Sequence, residues 1–225
     1  HEREDSRLGV PLCLDCYDHN GQAVWNLMAG ELWRRTTIAI NRYMRRLARE
    51  RGLADIPVAT YRQGKIRVRW VPPFRLSFGK AAEMQRRAAV HYHAIIRLDG
   101  IDSDDRDAIV APPPELDAAD LKAAVDHAAA TVAFSTDDHP AQPGGWRITW
   151  GTQNLTKVIT VAADGDVTDA QVAAYLAKYA TKSTEVTGHA SNRLTEDTVT
   201  VFADPDGTWT VVDWKTGALP ADEQI

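Results

Sequence analysis

One short stretch, residues 88–98, limits the folds open to this chain more than any other. It reads AAVHYHAIIRL, so apolar and β-forming residues surround two histidines. Such a run predicts a buried strand. Because side chains alternate between the faces of a strand, His91 and His93 share one face and Tyr92 lies on the other. The chain is therefore expected to build a sheet with this strand inside it.

Two imidazoles side by side on one face of a sheet make half of a metal site. The alternative is a pair of core histidines whose ring nitrogens are satisfied by the protein itself. The preceding residues, 74–84, predict another strand, and residues 85–87 predict a tight exposed turn.

The register of that hairpin decides whether a carboxylate joins the histidines. If Gln85 pairs with Ala89 across a three-residue loop, Glu83 lies directly opposite His91. A shift by one residue moves Glu83 to the other face. In the first register His91, His93 and Glu83 form a site of two imidazoles and one carboxylate, which suits Mg or Mn as well as Zn.

A second group of reactive side chains is expected on a helix far downstream. Thr168 followed three residues later by Gln171 predicts a capping box and hence a helix start. The helix carries two tyrosines four residues apart and a lysine three residues after each, namely Tyr175, Tyr179, Lys178 and Lys182. A nearby ammonium favours the phenolate and also binds phosphate. The alternative is an ordinary amphipathic helix with both tyrosines in the core.

Glu83, the His91-Tyr92-His93 triplet and the Tyr-x-x-Lys-Tyr-x-x-Lys stretch resemble, in this order, the HUH endonuclease superfamily. The chain is more closely similar to the RepSA-type replication initiators of actinobacterial plasmids and integrative conjugative elements. Four segments, spread over nearly the whole chain in the family's order, carry this resemblance: residues 8–18, 30–35, 85–94 and 174–182.

The resemblance implies an activity in which His91, His93 and Glu83 hold a divalent Mg or Mn ion. It also implies that a tyrosine attacks DNA to leave a 5′-phosphotyrosine and a free 3′-OH. Tyr179 is expected as the main nucleophile and Tyr175 as the second, with the two helical lysines holding phosphate charge or favouring phenolate. The substrate is single-stranded or hairpin DNA at a replication origin, and a host helicase is the expected partner.

The pattern of elements predicts an α+β fold, with a mainly antiparallel sheet and helices packed on it. The resemblance implies the ferredoxin- or palm-like sheet of HUH nucleases, with the tyrosine helix over the histidine face. The other expected elements are strands at 22–27, 58–61, 66–71, 146–150 and 157–161, helices at 31–51 and 116–134, an acidic loop at 99–114, and a hairpin joining 198–202 to 209–212.

The amino-terminal residues contain both cysteines of the chain, in Cys13-Leu-Asp-Cys16. Two cysteines fit a reducing cytoplasm, and one Cys-x-x-Cys is half of a zinc site. In the family's pattern a histidine and further cysteines precede this pair, and His1 resembles that histidine. We therefore expect residues 1–20 to be the remnant of a zinc-binding module and 21–225 to be the endonuclease domain. Neither a membrane span nor a signal peptide is expected.

Charge is distributed unevenly along the chain. Residues 31–90 hold 15 Lys and Arg against 4 Asp and Glu, although the whole chain has a formal net charge of −5. This segment predicts a phosphate-binding surface, and the expected DNA-binding residues are Arg34, Arg35, Arg42, Arg86 and Arg87. The alternative is a solvated helix face.

Several functions fit these patterns. The first is a rolling-circle replication initiator that nicks and rejoins one DNA strand, and a conjugative relaxase or single-strand transposase shares its chemistry. A non-catalytic DNA-binding module of the same fold is the alternative from another class. A metal hydrolase resembling the amidohydrolases is disfavoured, because their eight-stranded barrel needs a longer chain with alternating strands and helices.

Overall fold

The computed structural model describes residues 11, 13–85, 87–105, 108–152, 154–160 and 208–214. Within these residues the chain forms two helices and eight strands. In chain order they are α1 (His19–Glu50), β1 (Ile56–Arg62), β2 (Lys65–Val71), β3 (Phe74–Met84), β4 (Val90–Gly100), α2 (Ala118–Thr131), β5 (Ala133–Ser135), β6 (Arg147–Thr149), β7 (Asn154–Thr160) and β8 (Thr208–Trp214).

The main sheet has four strands in the order β3-β4-β8-β7, and every neighbouring pair is antiparallel. Strand β4 lies inside it and is buried along nearly its whole length. The α+β class, the mainly antiparallel sheet and the inner position of the histidine strand are thereby confirmed. Strands β1 and β2 form a separate two-stranded sheet, as do β5 and β6.

One face of β4 belongs to the hydrophobic core. Tyr92, Ala94, Ile96 and Leu98 form one cluster with the buried residues of α1 and α2. The indole of Trp150 donates a 2.8 Å hydrogen bond to the Thr36 hydroxyl of α1, which satisfies a polar pair inside this cluster. Both helices therefore pack on the Tyr92 face of the sheet. The histidines lie on the other face.

The first helix starts earlier than the sequence suggested. The predicted strand at 22–27 is wrong, because these residues form the first turns of α1. The Asp18 carboxylate caps the helix by accepting a 2.7 Å hydrogen bond from the Gly21 N–H. Trp25 and Met28 then pack against the core, at the same three- and four-residue spacing as the buried residues further along. This capping and burial outweigh the turn tendency of Asn20-Gly21.

Two other predicted boundaries are also wrong. Strand β4 continues to Gly100, whereas a loop was predicted from Asp99. The Asp99 carboxylate stays inside because it accepts a hydrogen bond from Ser77 and pairs with Arg97. The helix predicted to reach residue 134 ends at Thr131, since the next residues pair with β6. Its start is confirmed, with Asp117 as the capping residue.

The last strand, β8, pairs with both β4 and β7. Its predicted hairpin partner, residues 198–202, lies outside the described residues. In the described part of the chain, no helix has the length and apolar character needed to cross a membrane.

Candidate nuclease site on the histidine hairpin

The turn between β3 and β4 sets the geometry of the candidate site. The Gln85 N–H donates to the Ala89 carbonyl at 2.9 Å, and the Ala88 N–H donates to the Gln85 carbonyl at 2.7 Å. Ala88 has a φ of 59°, which gives the loop the left-handed residue that closes short hairpins. Glu83 consequently pairs with His91. The predicted register is therefore confirmed.

The two histidines lie against each other in the sheet. Their ring centroids are 4.3 Å apart with an interplanar angle of 18°, so the imidazoles are stacked. His91 is 6% exposed and His93 is 2% exposed. The His91 Nδ1 lies 3.0 Å from the Gln85 amide nitrogen, and the His93 Nε2 lies 3.2 Å from the Glu83 Oε2. Each ring thus has a polar neighbour from the turn or from β3.

His93 and Glu83 have a spacing that suits a small divalent cation, whereas His91 faces a different neighbour. Two ligands held at about 2.1 Å and roughly at a right angle are about 3 Å apart, close to the 3.2 Å between His93 Nε2 and Glu83 Oε2. However, among the side chains that the structure describes, no group of three or more His, Cys, Asp and Glu residues is arranged to hold a metal. His91 faces Gln85 rather than Glu83. The roles of the three residues as ligands therefore remain predictions.

Helix α1 fixes the turn from the other side. The Asn26 amide donates to the Ala88 carbonyl at 2.8 Å and accepts from the Val90 N–H at 3.0 Å, while the Gln22 amide donates to the Arg87 carbonyl at 2.6 Å. These side chains act as a clamp on the main chain of the turn that determines where Glu83 lies. Sequence reasoning missed them because it assigned residues 22–27 to a strand.

A third strand, β8, pairs with β4 along its other edge. The backbone register places Asp213 opposite His93. Sequence reasoning missed this pairing because alternation within β8 says nothing about which strand it pairs with.

The histidine face continues into a buried charged group. Asp99 is 1% exposed and Arg97 is 3% exposed. The Arg97 Nε lies 2.5 Å from the Asp99 Oδ1, the Ser77 hydroxyl donates to the Asp99 Oδ2 at 2.7 Å, and the Arg75 Nε lies 3.5 Å from that oxygen. Two guanidinium groups therefore surround one carboxylate, which partly offsets the cost of burying charge. This group anchors β3 to β4 at the end opposite the turn.

The residues expected to attack the DNA, Tyr175 and Tyr179, lie outside the described residues. The same is true of Lys178 and Lys182. Their placement over the histidine face stays an expectation from the family resemblance.

The two cysteines lie close together near the start of α1. Both are exposed, and the Cys16 N–H donates to the Cys13 sulfur at 3.3 Å. The Cys16 side chain and the N–H groups of Cys16 and Asp15 lower the pKa of the Cys13 thiol, whereas Cys13 raises the pKa of Cys16. A lowered pKa favours the thiolate, the form that binds metal. His1 lies outside the described residues, so the zinc site stays a prediction.

The predicted DNA-binding arginines are not all close to the histidines. Arg34, Arg35 and Arg42 are exposed on α1, which packs on the Tyr92 face, so the sheet separates them from His91 and His93. Arg34 and Arg35 both bond to Glu31, and these hydrogen bonds lower the pKa of Glu31 to about 2.

The turn holds the remaining predicted arginines. Arg87 lies within it, and its carbonyl accepts from Gln22. Arg86 is outside the described residues. DNA binding by all five arginines stays a prediction.

Comparison with known proteins gives the family. A family model described as RepSA, "Replication initiator protein, pSAM2", matches residues 1–221. A curated replication initiator protein of Streptomyces ambofaciens is 35% identical over 200 residues, which are 87% of this chain and 39% of that protein. No solved structure matches significantly.

The chain is therefore one of the replication initiator proteins by family. Within that class it belongs to the RepSA family. It spans about two fifths of the length of its curated relative.

Proposed function

We propose that this chain nicks and rejoins one DNA strand at a replication origin, using a helical tyrosine as the nucleophile. The observation that carries the proposal is the confirmed hairpin register, which places Glu83 opposite His91 and beside His93 in a member of a replication initiator family. Single-stranded or hairpin DNA is the proposed substrate, and a host helicase is the proposed partner.

Residues His91, His93 and Glu83 would hold an Mg or Mn ion. Bound there, it would act as a Lewis acid that polarises and orients the scissile phosphate. Neutral imidazole is the form that binds a metal. The Asn26 clamp holds the turn that positions Glu83.

The proposed chemical step is an in-line displacement at phosphorus. The phenolate oxygen of Tyr179, or of Tyr175, forms a bond to the scissile phosphorus, and the bond from phosphorus to the 3′ oxygen breaks. The phenol gives up its proton to solvent, the 3′ oxygen takes a proton from water as it leaves and becomes the 3′-OH, and the 5′ side stays on the protein as a phosphotyrosine. This linkage conserves the phosphodiester energy, so the reverse attack by a 3′-OH rejoins the strand. Lys178 and Lys182 would favour the phenolate.

The decisive experiment measures a covalent adduct. Labelled single-stranded origin oligonucleotides are incubated with the protein and Mn or Mg, with a chelator in parallel, and a protein–DNA band is sought on a denaturing gel. We expect a metal-dependent band that is lost in Tyr179→Phe. Loss in Tyr175→Phe instead would make Tyr175 the nucleophile, and loss only in the double variant would mean that either phenol serves. Tyr43→Phe is the matched control, because Tyr43 packs against His127 on the helix side of the sheet. An adduct that persists in the double variant would refute the mechanism.

Metal binding is tested separately by calorimetric titration with Mn. Glu83→Gln should weaken binding, since the amide keeps the size of the side chain and loses its charge. Glu50→Gln is the control, because Glu50 is an exposed carboxylate at the end of α1. Equal Mn affinity in both variants would remove Glu83 from the ligand set.

In the adduct experiment, tight DNA binding without an adduct would instead favour the non-catalytic DNA-binding module.

A further inference from the structure

Strands β1 and β2 form a two-stranded ribbon that is separate from the main sheet. Seven residues pair on each strand, from Ile56 with Val71 to Arg62 with Lys65. The connecting residues, Gln63 and Gly64, have φ values of 53° and 75°. Two consecutive left-handed residues make the two-residue turn whose twist matches that of a tight hairpin. The ribbon is thus a regular hairpin with a sharp tip.

The ribbon has two chemically different faces. The register places Lys65, Arg67 and Arg69 on one face, together with Thr60. The opposite face carries apolar side chains that are far more exposed than usual: Tyr61 at 77%, Ile66 at 73%, Val68 at 60% and Trp70 at 65%. Six of the seven β2 residues are exposed. On β1, however, Val58, which pairs with Arg69 on the basic face, is only 3% exposed. The ribbon is therefore open on its apolar face, and on its basic face at the three cationic positions of β2.

The described residues do not neutralise the positive charge on the ribbon. Residues 56–71 contain four Lys and Arg and no Asp or Glu. None of the ion pairs within the described residues involves Lys65, Arg67 or Arg69, in contrast to the Arg34 and Arg35 pairs with Glu31 on α1. Like charges at alternate positions on one face repel one another, and a polyanion relieves that repulsion.

We propose that this ribbon docks in the major groove of duplex DNA, with Lys65, Arg67 and Arg69 contacting phosphates along the groove. The major groove admits a two-stranded β-ribbon, and known proteins use ribbons in this way. The inference rests on the proposed function, since it assigns to the ribbon the duplex that flanks the strand to be cut. It goes beyond that function because none of the ribbon residues belongs to the cleavage site.

A second copy of this chain is a weaker candidate for the ribbon. A ribbon of seven residue pairs is about 24 Å long and about 10 Å wide, so pairing through one face buries on the order of 250 Å² per protomer. A stable interface needs about 800 Å² on each partner. The ribbon alone is therefore too small to support a dimer.

The test is a binding measurement that does not depend on cleavage. Fluorescence anisotropy with a labelled duplex is recorded in EDTA over a range of salt concentrations. Because the phosphate contribution does not depend on sequence, a duplex of arbitrary sequence serves as the probe. The variant is Arg67→Ala with Arg69→Ala. The matched control is Arg147→Ala with Lys157→Ala, which removes the same charge from exposed positions on β6 and β7.

The expected result follows from counterion release. Each lost phosphate contact reduces the magnitude of the slope of log K against log salt by about 0.9. The slope of the ribbon variant, which loses two contacts, should therefore be smaller in magnitude by about 1.8. At 0.1 M salt this corresponds to about sixtyfold weaker binding. The control should change the affinity by less than about threefold. Equal effects in the two variants would overturn the proposal.

Further measurements distinguish duplex DNA from the other possible ligands of the ribbon, and they separate this proposal from the proposed cleavage. An equal loss of affinity for the single strand of the same sequence would refute duplex docking. A change of molecular mass by light scattering in Trp70→Ser would assign the apolar face to a second copy and also refute it. The ribbon variant should still form the covalent adduct on a short single-stranded oligonucleotide. If wild type forms no adduct, the proposed cleavage fails while the duplex measurement still decides the ribbon.

Discussion

The clamp between α1 and the histidine hairpin gives the most direct test of how the candidate site is held. Asn26 makes two hydrogen bonds to the main chain of the turn, to the Ala88 carbonyl and from the Val90 N–H. Each such bond contributes about 1 kcal/mol net, so Asn26→Ala should lower the free energy of unfolding by about 2 kcal/mol. That is a large part of a typical stability of about 5–15 kcal/mol.

A second variant separates the contributions of the two hydrogen bonds to this loss of stability, and a third serves as a control. Asn26→Asp keeps the acceptor for the Val90 N–H and loses the donor to the Ala88 carbonyl, so it should cost about half as much or slightly more. Asn41→Ala is the matched control on the same helix, because its amide donates to the Thr37 carbonyl one turn earlier and not to the hairpin. It removes one hydrogen bond, so it should cost about half as much as Asn26→Ala.

The assay is urea unfolding followed by tryptophan fluorescence, with hydrogen exchange of the turn amides as a local measurement. The amide of Ala88, which donates to the Gln85 carbonyl, should exchange faster in Asn26→Ala. An Asn26→Ala protein that is as stable as the Asn41→Ala control, and whose turn amides exchange at the wild-type rate, would refute the clamp. Loss of adduct formation in a protein that is still folded would link the clamp to the proposed chemistry.

Two other substitutions test the main sheet. Asp99→Asn removes the charge that faces Arg97 in a nearly water-free position, so it should cost about 3–5 kcal/mol in urea unfolding, and a loss below about 1 kcal/mol would contradict the pairing. Gly100→Ala should cost about 1–3 kcal/mol or more, because a Cβ there would lie 2.3 Å from a backbone carbonyl oxygen. Gly30→Ala is the matched control. A Cβ at Gly30 would meet open space in a helix, so this substitution should raise the stability by about 0.5–1 kcal/mol instead of lowering it.

Local patterns predicted the central hairpin well. The predicted strand at 74–84 has the bounds of β3, and the pairing of Glu83 with His91 is confirmed. Alternation and a short turn are properties of neighbouring residues, so they are visible in the sequence. The capping box that the structure shows at Asp117 is equally local, since it spans only four residues.

Features that depend on distant partners were missed. The first turns of α1 look like a turn and a strand in isolation, but Trp25 and Asn26 gain partners more than 60 residues away. A charged residue near the end of a strand predicts a loop, yet Asp99 stays in β4 because it meets Arg97 and Ser77. The neighbours of β8 depend on the folding of the whole sheet, and no local rule supplies them.

Strand β3 connects the two proposed DNA contacts. The ribbon enters β3 at Phe74, and Glu83 lies nine residues further along the same strand. At about 3.3 Å per residue this is about 30 Å, which is the length of about nine base pairs at 3.4 Å each. Strand β3 therefore separates the base of the ribbon from the proposed cleavage site by nearly one helical turn. Because β3 pairs with β4 along its whole length, the spacing between duplex and nick would be set by folded structure rather than by a flexible linker.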